Sequence, residues 1–343
     1  MKTDMIRCGV VGLSGYTGKE VFKLLLNHSQ VRVTYVAAQN TTGSVASIWP
    51  EFLNRTSLIC QTFSIKDAVK NCDVVFLALP HTESMKVAGA LLKAGVKVID
   101  LSADYRLKSI KTYEAWYGHK HVNAKNVSKA IYGLPELYRQ KIKKASLIAN
   151  PGCYPTAAVL GLAPLVATRS KSITNIIVDA KSGVSGAGRK ASVSLLMSEV
   201  ADNFKAYKVL SHQHAPEIDQ TISQLAGKTL SVHFVAHLLP IDRGILDTIY
   251  VQLKDAITPA QLHTLYSKFY KTEPFVRLHP LGAQPEIKNV AHTNFCDIGL
   301  AVSKDKKTVV ITSAIDNLVK GAAGQAVQNM NIMCGFNETE GLI

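Results

Sequence analysis

The sequence lacks closely spaced cysteines, and this absence argues against two kinds of structural site. Six cysteines are scattered along 343 residues, and no two of them form a C-x-x-C pair. Disulfide frameworks and zinc sites both depend on regular or paired cysteines. Scattered thiols fit a reducing compartment, so we expect a cytoplasmic protein without a bound metal.

The sequence also lacks an apolar run long enough to cross a bilayer, and its first residues, MKTD, do not resemble a secretory signal. Hydrophobic residues make up 47% of the chain and charged residues 19%, as in ordinary globular proteins. We therefore expect no membrane partner. A length of 343 residues is enough for two domains, each with its own core.

Acidic residues are scarce relative to basic ones, with 25 against 39, which leaves a formal charge of +14. Such a balance suits binding to nucleic acid or to small anionic ligands. The basic residues are dispersed, and their densest clusters, at 141–144 and 304–307, are short. We therefore expect no nucleic-acid partner and favour small ligands that carry phosphate.

The first 150 residues alternate between strand and helix patterns. Strands are predicted at 6–11, 31–38, 73–79 and 96–100. The apolar run 73–79 is typical of a parallel strand buried on both faces. This pattern predicts an α/β fold, with a Rossmann-type NADP-binding domain over residues 1–152 that a C-terminal helix of about 315–343 completes.

After residue 153 the pattern changes to long strands. They are predicted at 175–181, 231–239, 246–253, 295–302 and 308–313. These strands predict an α+β domain over residues 153–314 with a mixed or antiparallel sheet. We assign catalysis and substrate binding to this second domain.

A glycine-rich turn joins the first strand to the first helix. Its candidate cofactor contacts are Gly12, Ser14, Gly15, Tyr16, Thr17 and Gly18. Glycines at this point let the backbone approach a pyrophosphate at the helix N-terminus. Residues 37–42, at the end of the second strand, contain no Asp or Glu. Because an acidic residue there would repel a ribose 2′-phosphate, its absence favours NADP(H) over NAD.

Polar residues follow the next two strands of the predicted sheet. Pro80 and His81 end the apolar run 73–79 and are candidate cofactor contacts, although a cap of the following helix fits His81 equally well. Arg106 follows strand 96–100, at the sheet edge where such folds bind ligands. Its guanidinium is suited to forking onto a phosphate.

Cys153 is the candidate nucleophile. It lies in the segment Asn150-Pro-Gly-Cys-Tyr-Pro, between a short strand-like run and an apolar helix pattern from Thr156. A thiol at a helix N-terminus meets backbone N–H groups and the positive end of the helix dipole, which both favour the thiolate. The alternative is an inert buried cysteine. Gly152 and the two prolines favour the nucleophile, because they shape the backbone around this one side chain.

A second glycine-rich loop covers residues 181–189 and ends in Arg189. Its backbone N–H groups and Arg189 are suited to binding an anion, although a flexible turn is the alternative. We assign Ser182 and Gly183 to the cofactor and Arg189 to phosphate.

Two histidines, His212 and His214, precede a predicted helix. They show no recognisable zinc spacing, so an acid/base role near the thiol fits better than a metal pair. We prefer His214 for that role because it is nearer the helix start, but the sequence leaves the choice open. Glu217 is available to orient a ring, and Glu217 and Asn150 are candidate substrate contacts.

Together these motifs resemble the N-acetyl-γ-glutamyl-phosphate reductases of the aspartate-semialdehyde dehydrogenase superfamily, over essentially the whole chain. The matching segments are G-x-S-G-Y-T-G at 12–18, L-S-A-D-Y-R at 101–106, Y-G-L-P-E at 132–136, N-P-G-C-Y-P at 150–155, S-G-x-S-G-A-G-R at 182–189, H-x-H-x-P-E-I at 212–218, P-I-x-R-G-I at 240–245 and D-N-L-V-K-G-A-A-G-Q-A at 316–326. Gln213 departs from the family pattern, which has arginine between the histidines. The resemblance therefore implies no charged contact from that position.

The resemblance implies NADPH-dependent reduction of N-acetyl-γ-glutamyl phosphate to the 5-semialdehyde in arginine biosynthesis, through a thioester on Cys153. It also implies a homodimer or homotetramer, with oligomerisation through the second domain, 153–314. Arg106 and Arg189 would contact phosphate or a substrate carboxylate, and Arg243 is a weaker candidate. Another acyl-phosphate reductase of the superfamily, for aspartyl or aminoadipyl phosphate, is the nearest alternative. A cysteine hydrolase and a basic nucleic-acid binder are more distant ones, because neither uses the glycine turn.

Overall fold

The structure, a computed structural model, describes residues 5–343, so the segment MKTD lies outside it. The chain forms two compact units. The first contains the residues up to Pro151 together with Ala322–Ile343, and the second contains Gly152–Gly321.

The strands are β1 (Ile6–Val11), β2 (Val31–Ala38), β3 (Gly43–Ser44), β4 (Ile59–Thr62), β5 (Val74–Leu77), β6 (Lys97–Asp100), β7 (Ile131–Tyr132), β8 (Leu147–Ala149), β9 (Ile173–Gly183), β10 (Lys205–Tyr207), β11 (His233–Leu239), β12 (Ile245–Leu253), β13 (Val276–Leu278), β14 (Cys296–Val302) and β15 (Thr308–Ile315). The α-helices are α1 (Tyr16–Leu26), α2 (Val45–Ile48), α3 (Ile65–Asn71), α4 (Ser84–Lys93), α5 (Ile110–Tyr117), α6 (Ala124–Val127), α7 (Pro135–Ile142), α8 (Cys153–Arg169), α9 (Met197–Val200), α10 (Ala215–Ala226), α11 (Pro259–Phe269) and α12 (Gly324–Cys334). A π-helical turn, Val319–Ala323, precedes α12.

The first unit is built on a sheet with the strand order β3-β4-β2-β1-β5-β6-β8-β7. Its strands pair in parallel, except that β3 runs antiparallel to β4. Neighbouring residues of β5 enter two different hydrophobic cores, Phe76 on one face and Leu77 on the other. This two-sided burial explains why the strands read as continuous apolar runs, and it confirms the predicted Rossmann-type fold.

The order of the strands also fixes where this unit can bind a ligand. The chain passes from β1 through α1 to β2 on one side, whereas β5 pairs with β1 on the other side. In open parallel sheets, ligands bind in the crevice at the carboxyl ends of strands where the order reverses in this way. The turn after β1 and the loop after β5 lie at that edge.

The second unit contains a mixed sheet with the order β10-β11-β9-β12-β15-β14-β13. The pairs β9–β11 and β13–β14 are parallel, and the other neighbours are antiparallel. Buried and more exposed residues alternate along β12, because helix α8 covers one face of the sheet. The predicted α+β architecture with a mixed sheet is therefore confirmed.

The boundary between the units differs from the expectation at the C-terminal end. The sequence predicted a C-terminal helix of about 315–343 that belongs to the first unit, but the second unit extends to Gly321. Strand β15 continues to Ile315, and the π-helical turn follows before α12 begins. Helix α12 then packs against α1 and α7 of the first unit.

Candidate active site

Helix α8 begins at Cys153, which is partly buried. Gly152 is the N-cap and provides no capping side chain, and the N–H of Thr156 donates to its carbonyl oxygen at 3.0 Å. Pro155 lies in the first turn, where a missing N–H costs no intrahelical bond. The predicted placement of the thiol at a helix N-terminus is therefore confirmed.

Glu217 fixes the residue before the cysteine. It lies in the first turn of α10, is only 1% exposed, and accepts the backbone N–H of Gly152 at 2.8 Å through Oε1. This bond ties the N-terminal ends of α8 and α10 together. The sequence predicted that Glu217 orients a ring or contacts substrate, whereas the structure shows it holding the backbone beside Cys153.

The two histidines lie at the start of α10, where His214 is the N-cap. Their ring centroids are 4.8 Å apart, and both rings make edge contacts with Tyr154, at 5.5 Å for His212 and 5.9 Å for His214. Cys153 acts electrostatically on the hydroxyls of Tyr154 and Tyr207, and the Tyr207 ring lies 5.6 Å from that of His212, so the cysteine and the histidine pair belong to one cluster in the second unit.

Tyrosine side chains that no sequence motif had indicated complete this cluster. The hydroxyls of Tyr154 and Tyr207 lie 3.1 Å apart, and the Tyr154 hydroxyl donates to the carbonyl of His237 at 3.2 Å. Burial raises the pKa of Tyr207 to about 12 and that of Tyr154 further. Both phenols therefore stay protonated at neutral pH and act as hydrogen-bonding groups.

His212 is held as a neutral ring. Its side chain is 8% exposed, and burial, with a smaller effect of nearby Lys208, lowers its pKa from 6.5 to about 4. The backbone N–H of His214 donates to Nδ1 of His212 at 3.1 Å, which places the ring proton on Nε2. At neutral pH such a ring is a poor proton acceptor.

The low pKa of His212 predicts that acid destabilises the fold. Below pH 6.5 the unfolded chain takes up a proton that folded His212 excludes until about pH 4. Above about pH 6.5 His212 therefore does not lower the free energy of unfolding. As the pH falls from about 6.5 to about 4, the free energy of unfolding decreases. We expect the free energy of unfolding to lose about 2 kcal/mol from His212 between about pH 7.5 and about pH 5.

Urea unfolding of the wild type and His212→Asn at the two pH values measures this difference. The exposed His119 supplies the matched control, His119→Asn, which should keep the wild-type pH dependence. If His212→Asn also keeps it, the assignment of a buried neutral ring is incorrect.

Lys208 brings a positive charge to the histidine cluster. Its Nζ donates to Oε1 of Gln213 at 2.7 Å, and its charge contributes to the lowered pKa of His212. Lys208 also has a φ of +45°, in the left-handed region that non-glycine residues rarely adopt. Gln213 thus contacts a lysine at the position where the family pattern has arginine.

The second glycine-rich loop uses its backbone differently from the expectation. The N–H groups of Gly183, Val184 and Ser185 donate to carbonyl oxygens in residues 241–244, at 2.9 to 3.1 Å. These three N–H groups are therefore engaged within the protein and do not bind an anion, whereas anion binding by the rest of the loop and by Arg189 stays a prediction. The Asn317 side chain donates to the Ser185 hydroxyl at 3.0 Å and joins this cluster of loops.

Arg243, the weaker phosphate candidate, has acidic neighbours inside the second unit. Its Nη1 lies 3.5 Å from Oδ2 of the fully buried Asp316, and its Nε lies 3.7 Å from the exposed Asp242. The pair with Asp316 ties the loop at 241–244 to the segment after β15. A structural role for Arg243 therefore accounts for its position.

In the first unit, the glycine turn fits a dinucleotide. Gly12 has a φ of +98°, and a Cβ atom there would lie 2.1 Å from the carbonyl oxygen of Ala78; a Cβ on Gly18 would lie 2.2 Å from that of Gly12. Helix α1 thus packs directly on the turn. Gly15 caps α1 without a side chain, and no acidic residue lies in its first turn, which suits a pyrophosphate.

His81 does not cap α4, contrary to one of its two predicted roles. Nδ1 of His81 accepts the N–H of Ala103 at 3.0 Å. The carboxylate of Asp104 binds the N-terminal end of α4 instead, accepting the N–H groups of Thr82 and Met85 at 2.8 and 2.9 Å. A cofactor contact for His81 remains a prediction.

Arg106 and Asn150 hold the backbone of the first unit. Arg106 donates from Nε to the carbonyl of Asn150 and from Nη2 to that of Leu101, both at 2.8 Å. Asn150 is 1% exposed; its amide donates to Ala322 O at 3.1 Å and accepts from Asn329 at the same distance. Asn150 is therefore a structural residue where the sequence predicted a substrate contact, while a phosphate contact from Arg106 stays a prediction.

The other candidate contacts also stay predictions, namely Ser14, Tyr16, Thr17, Pro80, Ser182 and Arg189. Ser182 is buried and donates to the carbonyl of Gly183 at 3.0 Å, and Arg189 lies at the exposed end of its loop.

Two further properties concern the described chain as a whole. Within residues 5–343, no helix combines the length and apolar character needed to cross a membrane. The same residues contain no group of three or more His, Cys, Asp or Glu side chains placed to hold a metal ion.

Comparison with known proteins identifies the family. Residues 7–145 match the family described as "Semialdehyde dehydrogenase, NAD binding domain", and residues 153–317 match "Semialdehyde dehydrogenase, dimerisation domain". Proteins named N-acetyl-gamma-glutamyl-phosphate reductase from Desulfotalea psychrophila and Geobacter metallireducens are 50% and 49% identical to the chain, over 98% of each sequence.

Solved structures show the same fold at low sequence identity. Aspartate semialdehyde dehydrogenase II from Vibrio cholerae has a TM-score of 0.73 at 14% identity and covers 97% of this chain and 99% of its own. The enzyme from Candida albicans, solved with NADP, has a TM-score of 0.71 at 14% identity, over 96% and 98%. The chain therefore belongs to the semialdehyde dehydrogenase family, as its motifs predicted.

Proposed function

We propose that this chain is an NADPH-dependent N-acetyl-γ-glutamyl-phosphate reductase, which converts the acyl phosphate into N-acetylglutamate 5-semialdehyde and inorganic phosphate. The observation that carries the proposal is the cluster of Cys153, at the start of α8, with the histidine pair at the start of α10. The relatives that are about half identical over 98% of the chain support the choice of substrate.

The first step is acyl transfer to the cysteine. The Cys153 thiolate attacks the acyl carbon, the bond from carbon to the phosphate oxygen breaks, and phosphate leaves with that electron pair. A thioester on Cys153 remains. Backbone N–H groups in the first turn of α8 are suited to stabilise the oxyanion that forms during attack.

The second step reduces the thioester. Bound NADPH would supply the hydride, and the glycine turn of Gly12 to Gly18 at the start of α1 would hold its pyrophosphate. Reduction at the acyl carbon gives a thiohemiacetal on Cys153. Its collapse breaks the carbon–sulfur bond, releases the aldehyde and returns the thiolate.

His214 is the acid/base group in this scheme. It takes the proton of the Cys153 thiol before acyl transfer and protonates the oxyanion after reduction; it then accepts the hydroxyl proton when the thiohemiacetal collapses. The lowered pKa of His212, about 4, supports this division of roles, because a neutral His212 cannot serve as an acid at neutral pH. His212 then positions the loop before α10 by accepting the N–H of His214.

The match of residues 153–317 to a dimerisation domain supports a homo-oligomer as the working form. The absence of acidic residues in 37–42, at the end of β2 and directly after it, supports NADPH over NADH.

The reverse reaction tests this proposal directly. We expect reduction of NADP⁺ with N-acetylglutamate 5-semialdehyde to require phosphate, with kcat/KM at least about 10²-fold above that for aspartate semialdehyde. A preference for aspartate semialdehyde would assign the chain to another acyl-phosphate reductase. NADP⁺ reduction that proceeds equally without phosphate would contradict acyl-phosphate chemistry.

A further inference from the structure

Gly321 approaches the start of α8 more closely than any other residue type would permit. A Cβ atom placed on Gly321 would lie 2.7 Å from Cβ of Cys153 and 3.2 Å from its Cα. Real Cβ atoms essentially never come within 3.0 Å of another heavy atom. The atoms it would meet belong to the backbone and first side-chain carbon of Cys153, so they cannot swing aside as the end of a flexible side chain can.

The π-helical turn brings Gly321 to this place. The N–H of Gly321 donates to the carbonyl of Asp316, five residues earlier, at 2.9 Å. The Asp316 carboxylate accepts the N–H groups of Leu318 and Val319 through Oδ1, at 2.8 and 2.9 Å. Both ends of the segment 316–321 are therefore held by one buried residue. π-helical turns of this kind are frequent at functional sites.

Asp316 is itself fixed within the second unit. Its side chain is fully buried, and Oδ2 accepts the N–H of His292 at 2.6 Å while lying 3.5 Å from Nη1 of Arg243. The segment that carries Gly321 thus has little freedom to retreat from α8.

Cys153 is held from a second direction as well. The N–H of Gly152 is bound by Glu217 at 2.8 Å, so the N-terminal end of α8 is also tied to α10. A nucleophile misplaced by about 1 Å can lose about 10²-fold in rate. The position of the thiol therefore depends on two independent contacts, that of Glu217 with Gly152 and that of Gly321 with Cys153.

We propose that Gly321 is a positioning residue, which fixes the Cys153 thiol at the N-terminus of α8 in the place from which it attacks. The expected effect of Gly321 on turnover rests on the proposed function, whereas its expected effect on the position of the Cys153 thiol does not. A methyl group at position 321 would both displace Cys153 and cover part of its side chain.

The test is the variant Gly321→Ala. We expect iodoacetamide to alkylate Cys153 about 10-fold more slowly than in the wild type, as measured by mass spectrometry of the peptide that contains it. We also expect kcat for the reductase reaction to fall by about 10²-fold, with KM for the acyl phosphate changed by less than about threefold. Alkylation requires no turnover, so it decides about Gly321 even if the enzyme proves to have another substrate.

Gly161→Ala is the matched control. Gly161 lies on α8, the helix that begins at Cys153. A Cβ atom on Gly161 would meet Cδ1 of Ile249 at 2.8 Å, in the core and away from the thiol. We expect this variant to lose thermal stability while Cys153 keeps its wild-type alkylation rate. If both glycine variants slow alkylation in parallel with a loss of stability, Gly321 acts only through packing and the proposal fails.

A second variant covers the case in which Gly321→Ala does not fold. Asp316→Asn keeps the size of the side chain, but an amide NH₂ in place of Oδ2 cannot accept the N–H of His292. Loss of that hydrogen bond would loosen the segment 316–321. We expect alkylation of Cys153 to slow by about threefold, with a parallel loss of kcat. Wild-type alkylation and turnover in either folded variant would overturn the proposal.

Discussion

Replacing Cys153 with alanine is expected to lower kcat/KM for the acyl phosphate by about 10⁴-fold or more, while the dissociation constant for NADPH stays within about twofold of the wild type. The reason is that the thiol forms the covalent bond on which both chemical steps depend. The cofactor contacts, in contrast, are predicted in the glycine turn of the first unit, which the substitution does not touch.

Cys334→Ala is the matched control for this experiment, because Cys334 is also partly buried but lies on α12 of the first unit. It should retain near wild-type turnover. Initial rates and NADPH fluorescence titrations of both variants supply the measurement. Reductase activity near the wild-type level in Cys153→Ala would eliminate the thioester mechanism.

Replacing His214 with asparagine is expected to lower kcat by about 10²-fold, whereas His212→Asn lowers it by less than about 10-fold. Asparagine can form hydrogen bonds but cannot exchange a proton near neutral pH. His212 has a pKa of about 4 and accepts a backbone N–H, so its loss disturbs the loop and not the proton transfer itself.

The pH dependence of kcat/KM separates these two roles. The limb that reports the acid/base group should disappear in His214→Asn and persist in His212→Asn. Equal losses in the two variants, or a larger loss in His212→Asn, would reverse the assignment.

Much of the fold could be predicted because its patterns are local. The strands β1 and β2 were predicted with the bounds that the structure shows, since each is an apolar run between glycine or turn residues. The helix start at Cys153 was visible from Gly152 and Pro155. In the second unit, the long strands were recognised, but β9 and β12 each extend beyond the predicted limits because burial of alternate residues continues there.

The π-helical turn could not be predicted, because its cause is tertiary. Residues 317–333, within the predicted C-terminal helix of about 315–343, are rich in small and helix-forming types and give no sign of an interruption. In the structure the carboxylate of Asp316 takes the first N–H groups, and Gly321 bonds to the carbonyl five residues back. That arrangement depends on Asp316 being buried beside Arg243, far away in the chain.

The predicted site residues show the same contrast between roles that depend on local sequence and roles that depend on tertiary contacts. Cys153 and the histidines could be singled out because their chemistry depends on residue type and on position at a helix start; the structure confirms that position, and their catalytic roles stay predictions. Asn150 was misassigned because a buried amide that bonds to the carbonyl of Ala322 and to the side chain of Asn329 looks the same in sequence as one that binds a ligand. Tyr154 was overlooked although it follows the cysteine directly, since its role depends on Tyr207 across the fold.

The most direct test of the thioester mechanism is a single-turnover experiment without NADPH. The enzyme is mixed with N-acetyl-γ-glutamyl phosphate, released phosphate is counted, and the protein is examined by mass spectrometry. The mechanism predicts a burst of one phosphate per active site and one N-acetylglutamyl group on the peptide that contains Cys153. Phosphate release without an acylated Cys153, or no burst from an enzyme that turns over with NADPH, would contradict it.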